Sequence, residues 1–298
     1  MVEVIYIMSD NRSGSTLLEN IFSKSEECFS VGELAMLKGH IMKYGPGDKW
    51  NYTCSCGKSV NECPFWAPIL DKLYYSDKEN FCTAVNMSSK SKTLKFNQPF
   101  PFLYKTRLLQ FATTGYNKKV INTVSRLYKA TAEASGKKFI IDSSKNPLQA
   151  LALYNNREGI SVKIIYLKRD IRAIAVSKRK WKATNNKRKK SLLRLVTDIF
   201  YYRRLCDTVS SMVDPDDIIY LDYESLAKYT DSELKRLFTA LNMKPFPTPK
   251  YMELVEDHTI GGTPGRFEKK PISYNESWKE EYKDDPVAFK IGGFLNNL

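Results

Sequence analysis

The sequence contains no long hydrophobic run. Its opening apolar stretch, Val2 to Met8, is far shorter than the roughly 20 residues that cross a bilayer, and it lacks signal-peptide organisation. No membrane span is therefore expected. Ser/Gly-rich linkers, low-complexity tracts and internal repeats are also missing, so the 298 residues read as one large domain, 1–298, with a variable insert at about 45–130. There is no zinc-finger spacing, helix-turn-helix signature or RNP motif, which removes the usual supports for nucleic-acid binding despite a net charge of +14. The Walker pattern GxxxxGK[ST] is absent too. No Lys follows Gly14 and the loop around it has no second Gly, which disfavours an ordinary ATP or GTP loop.

What is present begins at the amino terminus. Val2 to Met8 reads as a buried strand, and Leu17, Leu18, Ile21 and Phe22 recur at helical spacing, giving a strand, a loop at Asn11–Thr16 and a helix over 15–25. Helix N-termini carry N–H groups without intrahelical acceptors and a positive dipole end. Gly14 allows close backbone approach, while Arg12, Ser13, Ser15 and Thr16 add donors, so the segment has the composition of an anion cradle. Ser and Thr are also common helix caps, and a plain capped start is the alternative. A second apolar run, Val162 to Leu167, ends at Lys168-Arg169-Asp170 and leads into a helix from Ile171 that carries Ser177. An Arg at a strand end offers a planar fork suited to phosphate.

Further strands are expected at 138–142 and 218–223, and helices at 102–134, 147–155, 190–211 and 231–241. Strands alternating with helices predict a three-layer αβα fold with a mostly parallel central sheet and ligands beyond the strand carboxyl ends. Arg12, Ser143 to Lys145, Arg169 and Tyr223 would then project from one edge. Residues 45–68 read as irregular, and the tail around Trp278 as peripheral.

Arg12-Ser13-Gly14-Ser15-Thr16-Leu17 resembles the 5′-phosphosulfate loop of sulfotransferases that use 3′-phosphoadenosine 5′-phosphosulfate (PAPS), where a Lys or Arg precedes Ser-Gly-[ST]-[ST]. Arg169-Asp170-Ile171-Arg172-Ala173 with Ser177 resembles that family's 3′-phosphate segment, and Tyr223-Glu224-Ser225-Leu226 its Tyr-Glu-[DS]-Leu strand end. His258 to Phe267, with Gly265 and Arg266, is similar to its Gly-rich C-terminal loop, though an ordinary surface loop would look the same. The resemblance runs from residue 2 to about 267 as islands. It implies a P-loop-like fold, PAPS as donor, 3′,5′-adenosine bisphosphate (PAP) as product, no required metal and, without a membrane anchor, a cytoplasmic location.

The resemblance also implies roles. Arg12 and the N–H groups of Ser13 to Leu17 would stabilise the leaving phosphate. Arg169, Ser177, Gly265 and Arg266 would hold the 3′-phosphate, and Tyr223 would lie near the nucleotide. An alcohol, phenol or amine acceptor needs a general base. Glu33, in Val31-Gly32-Glu33-Leu34, is the first candidate, although a Glu at a helix start is also favoured by the dipole. His40 is the second; the Lys-Thr-His segment of the phenol and steroid enzymes is missing here. Ser144 and Lys145 would contact the moving sulfonate or else cap another helix.

Lys178 to Lys190 is a basic run that attracts anions or simply forms a solvated surface. Six cysteines stand at 28, 54, 56, 63, 82 and 206. Cys54, Cys56 and Cys63, in a segment resembling an insert of some soluble sulfotransferases, cluster with Cys82 as a candidate fourth zinc ligand. Their spacing is not a standard knuckle pair, however, and buried thiols in a reducing compartment, or a fortuitous disulfide on oxidation, are the expectation. His258 reads as structural. Two other functions stay open at this point: a nucleotide kinase or NTPase with a degenerate loop, and a non-enzymatic basic protein binding nucleic acid or a sulfated polymer.

Overall fold

The computed structural model describes residues 1–42, 53–74, 101–157, 159–184, 190–252, 258–262 and 268–298. Five strands, β1 (Val2–Ser9), β2 (Cys28–Gly32), β3 (Phe139–Lys145), β4 (Ile160–Lys168) and β5 (Ile218–Asp222), form one sheet in the order β2-β3-β1-β4-β5. Every pairing in it is parallel. The helices are α1 (Ser15–Phe22), α2 (Leu37–Met42), α3 (Trp66–Tyr74), α4 (Pro101–Thr113), α5 (Gly115–Ser135), α6 (Pro147–Asn155), α7 (Ile171–Thr184), α8 (Leu192–Ser210), α9 (Tyr223–Lys228), α10 (Thr230–Leu241) and α11 (Pro286–Asn296). A short antiparallel pair, β6 (Tyr251–Met252) and β7 (Lys270–Pro271), stands apart from the main sheet.

The period-2 alternation of β1 builds the layers. Ile5 and Ile7 pack with Leu18, Ile21 and Phe22 of α1 and with Leu234, Leu237 and Leu241 of α10 on one face. Val4, Tyr6 and Met8 face Val124 and Leu127 of α5 and Leu151 of α6 on the other. Both faces are covered, which is why Val4 to Met8 read as an unbroken apolar run. A third apolar cluster joins α7 and α8 through Ile174, Leu195 and Ile199.

Parallel strands deliver all their carboxyl ends to one edge. β1 is the centre from which the chain departs to β2 and β3 on one side and to β4 and β5 on the other. The crevice at such a switch point is where open α/β sheets bind ligands, and the loop after β1 lies there.

Local detail departs from the sequence expectation in four places. The first helix stops at Phe22 rather than residue 25, in a turn closed by Lys24 N–H to Ile21 O at 3.2 Å. The helical stretch at 102–134 breaks between Thr113 and Gly115. Helix α3 begins inside the segment expected to be irregular, because buried Trp66, Ile69 and Leu70 give it an apolar face. The tail is not peripheral: Trp278 is buried with Ile171 and Ala288, and Asn296 Oδ1 accepts from the backbone N–H of Ile171 at 3.1 Å.

Candidate active site

The turn between β1 and α1 is bent by two left-handed residues, Arg12 at φ +77° and Gly14 at φ +97°. A side chain at Gly14 would put its Cβ 2.3 Å from Cδ2 of Tyr223, so glycine is required both by conformation and by contact. Among the described residues only three non-glycines have positive φ: Arg12, Lys145 and Asn242. Asn242 caps α10, a common place for that conformation. The other two lie on the same cleft. Such strain, about 1–3 kcal/mol per residue, gathers at functional sites.

That cleft, about 300 Å³, is lined by Arg12, Gly14, Ser15, Thr16, Leu17, Glu33, Lys145, Arg169, Ser177 and Tyr223. Residues separated by more than 200 positions therefore meet. Arg12 Nε donates to Ser177 Oγ at 2.9 Å, and Arg169 Nη1 donates to the Arg12 carbonyl at 2.9 Å. The Arg169 guanidinium sits 4.3 Å from the Tyr223 ring centroid, so Tyr223 is held between Arg169 and Gly14. Burial and the neighbouring Arg169 charge lower the Arg12 pKa. Neither arginine pairs with a carboxylate among the described residues, in contrast to Arg172, which grips Asp170 at 2.6 Å. Arg169 Nε and Ser13 Oγ are buried without a hydrogen-bond partner among those residues. Two close cations with unused donors and no direct ion pair among the described residues make a site for a multiply charged anion.

Opposite them, Lys145 Nζ lies 2.7 Å from Glu33 Oε1 and 3.0 Å from the Ser143 carbonyl. The turn carrying Glu33 is docked by Ala35 N–H on Ser144 Oγ at 2.9 Å, and by Glu33 N–H on the Ile260 carbonyl at 2.6 Å. His40 does not join this group. It is buried on α2, 4% exposed, and does not line the cleft, which corrects its candidacy as a base reaching an acceptor there. Gly265 and Arg266 lie outside the described residues. The basic run is partly neutralised: Lys178 pairs with Asp10 at 2.5 Å, Arg179 and Lys180 with Glu281, and Lys190 with Asp198.

Asn11, Met252 and Lys270 to Ser273 also line the cleft and were not anticipated. Asn11 opens the loop already singled out, although it was assigned no role there. The β6–β7 pair gives no such signal, because two-residue strands carry no periodicity. A buried polar layer beneath the cleft was likewise missed. Glu19 accepts from Ser30 Oγ at 2.5 Å and Ser143 Oγ at 2.8 Å, tying α1 to β2 and β3. Asp142 accepts from Tyr128 Oη at 2.5 Å and Ser144 N–H at 2.7 Å. An acidic residue within an apolar helix face, as Glu19 is, was the available clue.

Burial outweighs those hydrogen bonds and pushes the Asp142 carboxyl up from 3.8 to about 6. The folded state then holds this proton more tightly than the unfolded chain, so stability falls as pH rises from about 4 to 6. Asp142→Asn removes this titration. The stability of the variant relative to wild type is expected to rise by about 3 kcal/mol across that window. Chemical denaturation at several pH values checks this; a relative stability that falls or stays flat contradicts it.

Gly14→Ala gives a further expectation. The Cβ forces the Tyr223 ring off its position while the residue keeps a left-handed φ. A fall in Tm of several degrees is expected, together with loss of anion binding at the cleft, both measurable by thermal denaturation with and without ligand. Wild-type behaviour would mean that the turn is not held as described.

A parallel α/β sheet with a glycine turn into a helix N-terminus and paired arginines at its switch point defines a class, the α/β proteins that bind nucleotide-borne anions. Within that class, the sulfotransferase domain family matches residues 3–260, and the chain belongs to it. It is an enzyme of sulfuryl transfer. The fold is similar to that of the sulfotransferase domain from the curacin biosynthetic pathway, at 16% identity and TM-score 0.53, covering 99% of this chain and 98% of that one. The sulfotransferase domain of the Synechococcus PCC 7002 olefin synthase aligns at 12% identity and TM-score 0.48, covering 98% and 94%. No curated protein matches the chain in sequence. Among the described residues no helix is long and apolar enough to cross a membrane.

Proposed function

We propose that the donor is PAPS, the product PAP, and the acceptor a hydroxyl or amine. The observation that carries this is the arginine pair at the mouth of α1: Arg169 donates to the Arg12 carbonyl, Arg12 donates to Ser177, and neither forms an ion pair with a carboxylate among the described residues. The unused Arg169 Nε and Ser13 Oγ fit a dianionic phosphate and its neighbours.

The donor supplies an activated sulfuryl group whose S–O bond to the 5′-phosphate breaks as the acceptor oxygen or nitrogen bonds to sulfur. The protein's part is positioning and electrostatic stabilisation, as in phosphoryl transfer. Arg12 and the N–H groups of Ser13 to Leu17 hold the 5′-phosphate and the charge that builds on its leaving oxygen. Arg169 and Ser177 hold the 3′-phosphate, with Tyr223 beside the nucleotide. Glu33 takes the acceptor's proton, and Lys145, 2.7 Å away, orients that carboxylate and faces the sulfonate. The cluster of α7, α8 and α11 contributes Ser177 to the same cleft. This supports reading the chain as one catalytic domain. The surplus positive charge favours an acidic or carbohydrate acceptor.

Thermal denaturation with PAP, and separately with ATP and magnesium, tests the donor assignment. A ligand bound only by the native state raises Tm. Stabilisation by PAP alone supports the proposal. Stabilisation by ATP alone would favour the NTPase reading. A response to neither, with salt-sensitive polyanion binding, would favour a basic binding protein.

A further inference from the structure

Away from the cleft, the structure assembles a set of ligands that plays no part in sulfuryl transfer. Cys54, Cys56, Cys63 and His258 bring one donor atom each to within 4.8 Å of one another. Cys63 Sγ lies 3.7 Å from both Cys54 Sγ and Cys56 Sγ. His258 Nδ1 is 3.2 Å from Cys63 Sγ and 3.7 Å from Cys54 Sγ. We propose that these four residues bind one zinc ion in a closed structural site.

The distances decide between the available chemistries. A disulfide needs sulfurs about 2.05 Å apart, so the cysteines are not bonded to one another. Zinc with Zn–S near 2.3 Å and Zn–N near 2.0 Å in a tetrahedron sets ligand-to-ligand edges of roughly 3.5–3.8 Å. The observed separations bracket that range. Three thiolates and one imidazole in this geometry suit zinc among the common divalent ions. They also fill the coordination sphere, leaving no position for a reacting water.

The site is built from local structure rather than from chance proximity. Cys54 and Cys56 sit on a tight turn in which Cys54 N–H donates to Lys58 O at 2.8 Å, Gly57 N–H donates to Cys54 O at 2.9 Å, and Gly57 has φ +84°. Cys63 precedes α3, where Trp66 N–H reaches its sulfur at 3.5 Å. His258, 195 residues further on, is aimed by the same helix start. Its ring stacks on Phe65 at 5.2 Å and 6°, and its carbonyl accepts from Trp66 Nε1 at 2.6 Å. A fixed ring orientation of this kind is what metal-ligating histidines need.

The expectation of plain buried thiols is revised accordingly. Cys56 is exposed, and the fourth ligand is His258, supplied from a distant segment. Cys82, the fourth ligand weighed from sequence, lies outside the described residues. The ion would fasten the Cys-containing insert to residues 258–262. Thr259 pairs with Ser55 in both directions, at 3.1 and 2.9 Å, and Ile260 bonds to Val31 and Glu33. The metal thereby braces the backbone that holds Glu33, without entering the reaction.

Zinc content tests the assignment, using protein produced in zinc-supplemented medium, purified under reductant and dialysed against metal-free buffer. About one zinc per chain is expected. Cys56→Ser, at an exposed position, and His258→Ala are each expected to lose most of it, while Cys206→Ala, outside the cluster, keeps it. Should a variant fold poorly, cobalt substitution of the chelated wild-type protein serves instead, with sulfur-to-cobalt charge transfer and the visible bands of tetrahedral coordination as the expected signature. Substoichiometric zinc together with an absent cobalt signature in reduced wild-type protein would overturn the site. Full zinc retention by both ligand variants would do the same. PAP-dependent stabilisation is read separately, so failure here is distinguishable from failure of the donor assignment.

Discussion

Arg169→Ala is expected to cost the enzyme roughly 100-fold in PAP affinity and to erase the thermal stabilisation that PAP gives the wild-type protein. Each charge-assisted hydrogen bond lost from a phosphate is worth about 1.5–3 kcal/mol, and tenfold in affinity corresponds to about 1.4 kcal/mol. The side chain has one guanidinium edge on the Arg12 carbonyl, a face on Tyr223 and a buried Nε with no partner among the described residues. Because it also braces the loop, the alanine variant removes two things at once. Arg169→Lys separates them: the charge stays but the fork is lost, and an intermediate affinity is expected. Isothermal titration with PAP gives both numbers. An affinity for Arg169→Ala within threefold of wild type would remove Arg169 from the nucleotide site.

Glu33→Gln has the second large effect. Loss of a general base is expected to lower kcat by about 10²–10⁴ while leaving PAP affinity near wild type. The side chain also pairs with Lys145, whose side chain is only 8% exposed, so some loss of Tm accompanies the change. Lys145→Met distinguishes the two roles. If Glu33 served only to neutralise Lys145, removing the lysine would make Glu33→Gln harmless, and the double variant would recover the Lys145→Met rate. If Glu33 takes the proton, the double variant stays as slow as Glu33→Gln. Single-turnover assays on any acceptor that supports PAP release settle the comparison, because they isolate the chemical step from product release.

The residues that gather at the β1–α1 end of the cleft were legible in the sequence. A loop between an apolar strand and an amphipathic helix announces itself through periodicity, and residues 9–17 and 162–177 are each contiguous. Of the residues proposed to bind the nucleotide, Arg12, Gly14, Arg169 and Tyr223 sit at such junctions, Ser177 lies two turns into the following helix, and all five line the cleft. The acceptor side was less legible. Glu33 was visible as a Gly-Glu turn. Its partner Lys145 was named, but the 2.7 Å contact between them depends on β2 and β3 lying side by side. His40 shows the opposite failure. Its residue type suited the role, and nothing in its local sequence said that α2 would bury it.

By itself, the sequence determined the alternation of strands and helices, the covered character of the central strands and the glycine-containing loop between β1 and α1. These properties follow from neighbours along the chain: side-chain period, β-branching and backbone freedom. Only the tertiary structure decided that Asp142 and Glu19 form a buried polar layer, that Trp278 belongs to the core and that Lys270 enters the cleft. It also brought His258 to the cluster of Cys54, Cys56 and Cys63, across almost 200 residues of chain. Each of these is a meeting of segments far apart along the chain. Such meetings are set by which faces must be buried together and by the order in which parallel strands stack, and no local pattern encodes that order.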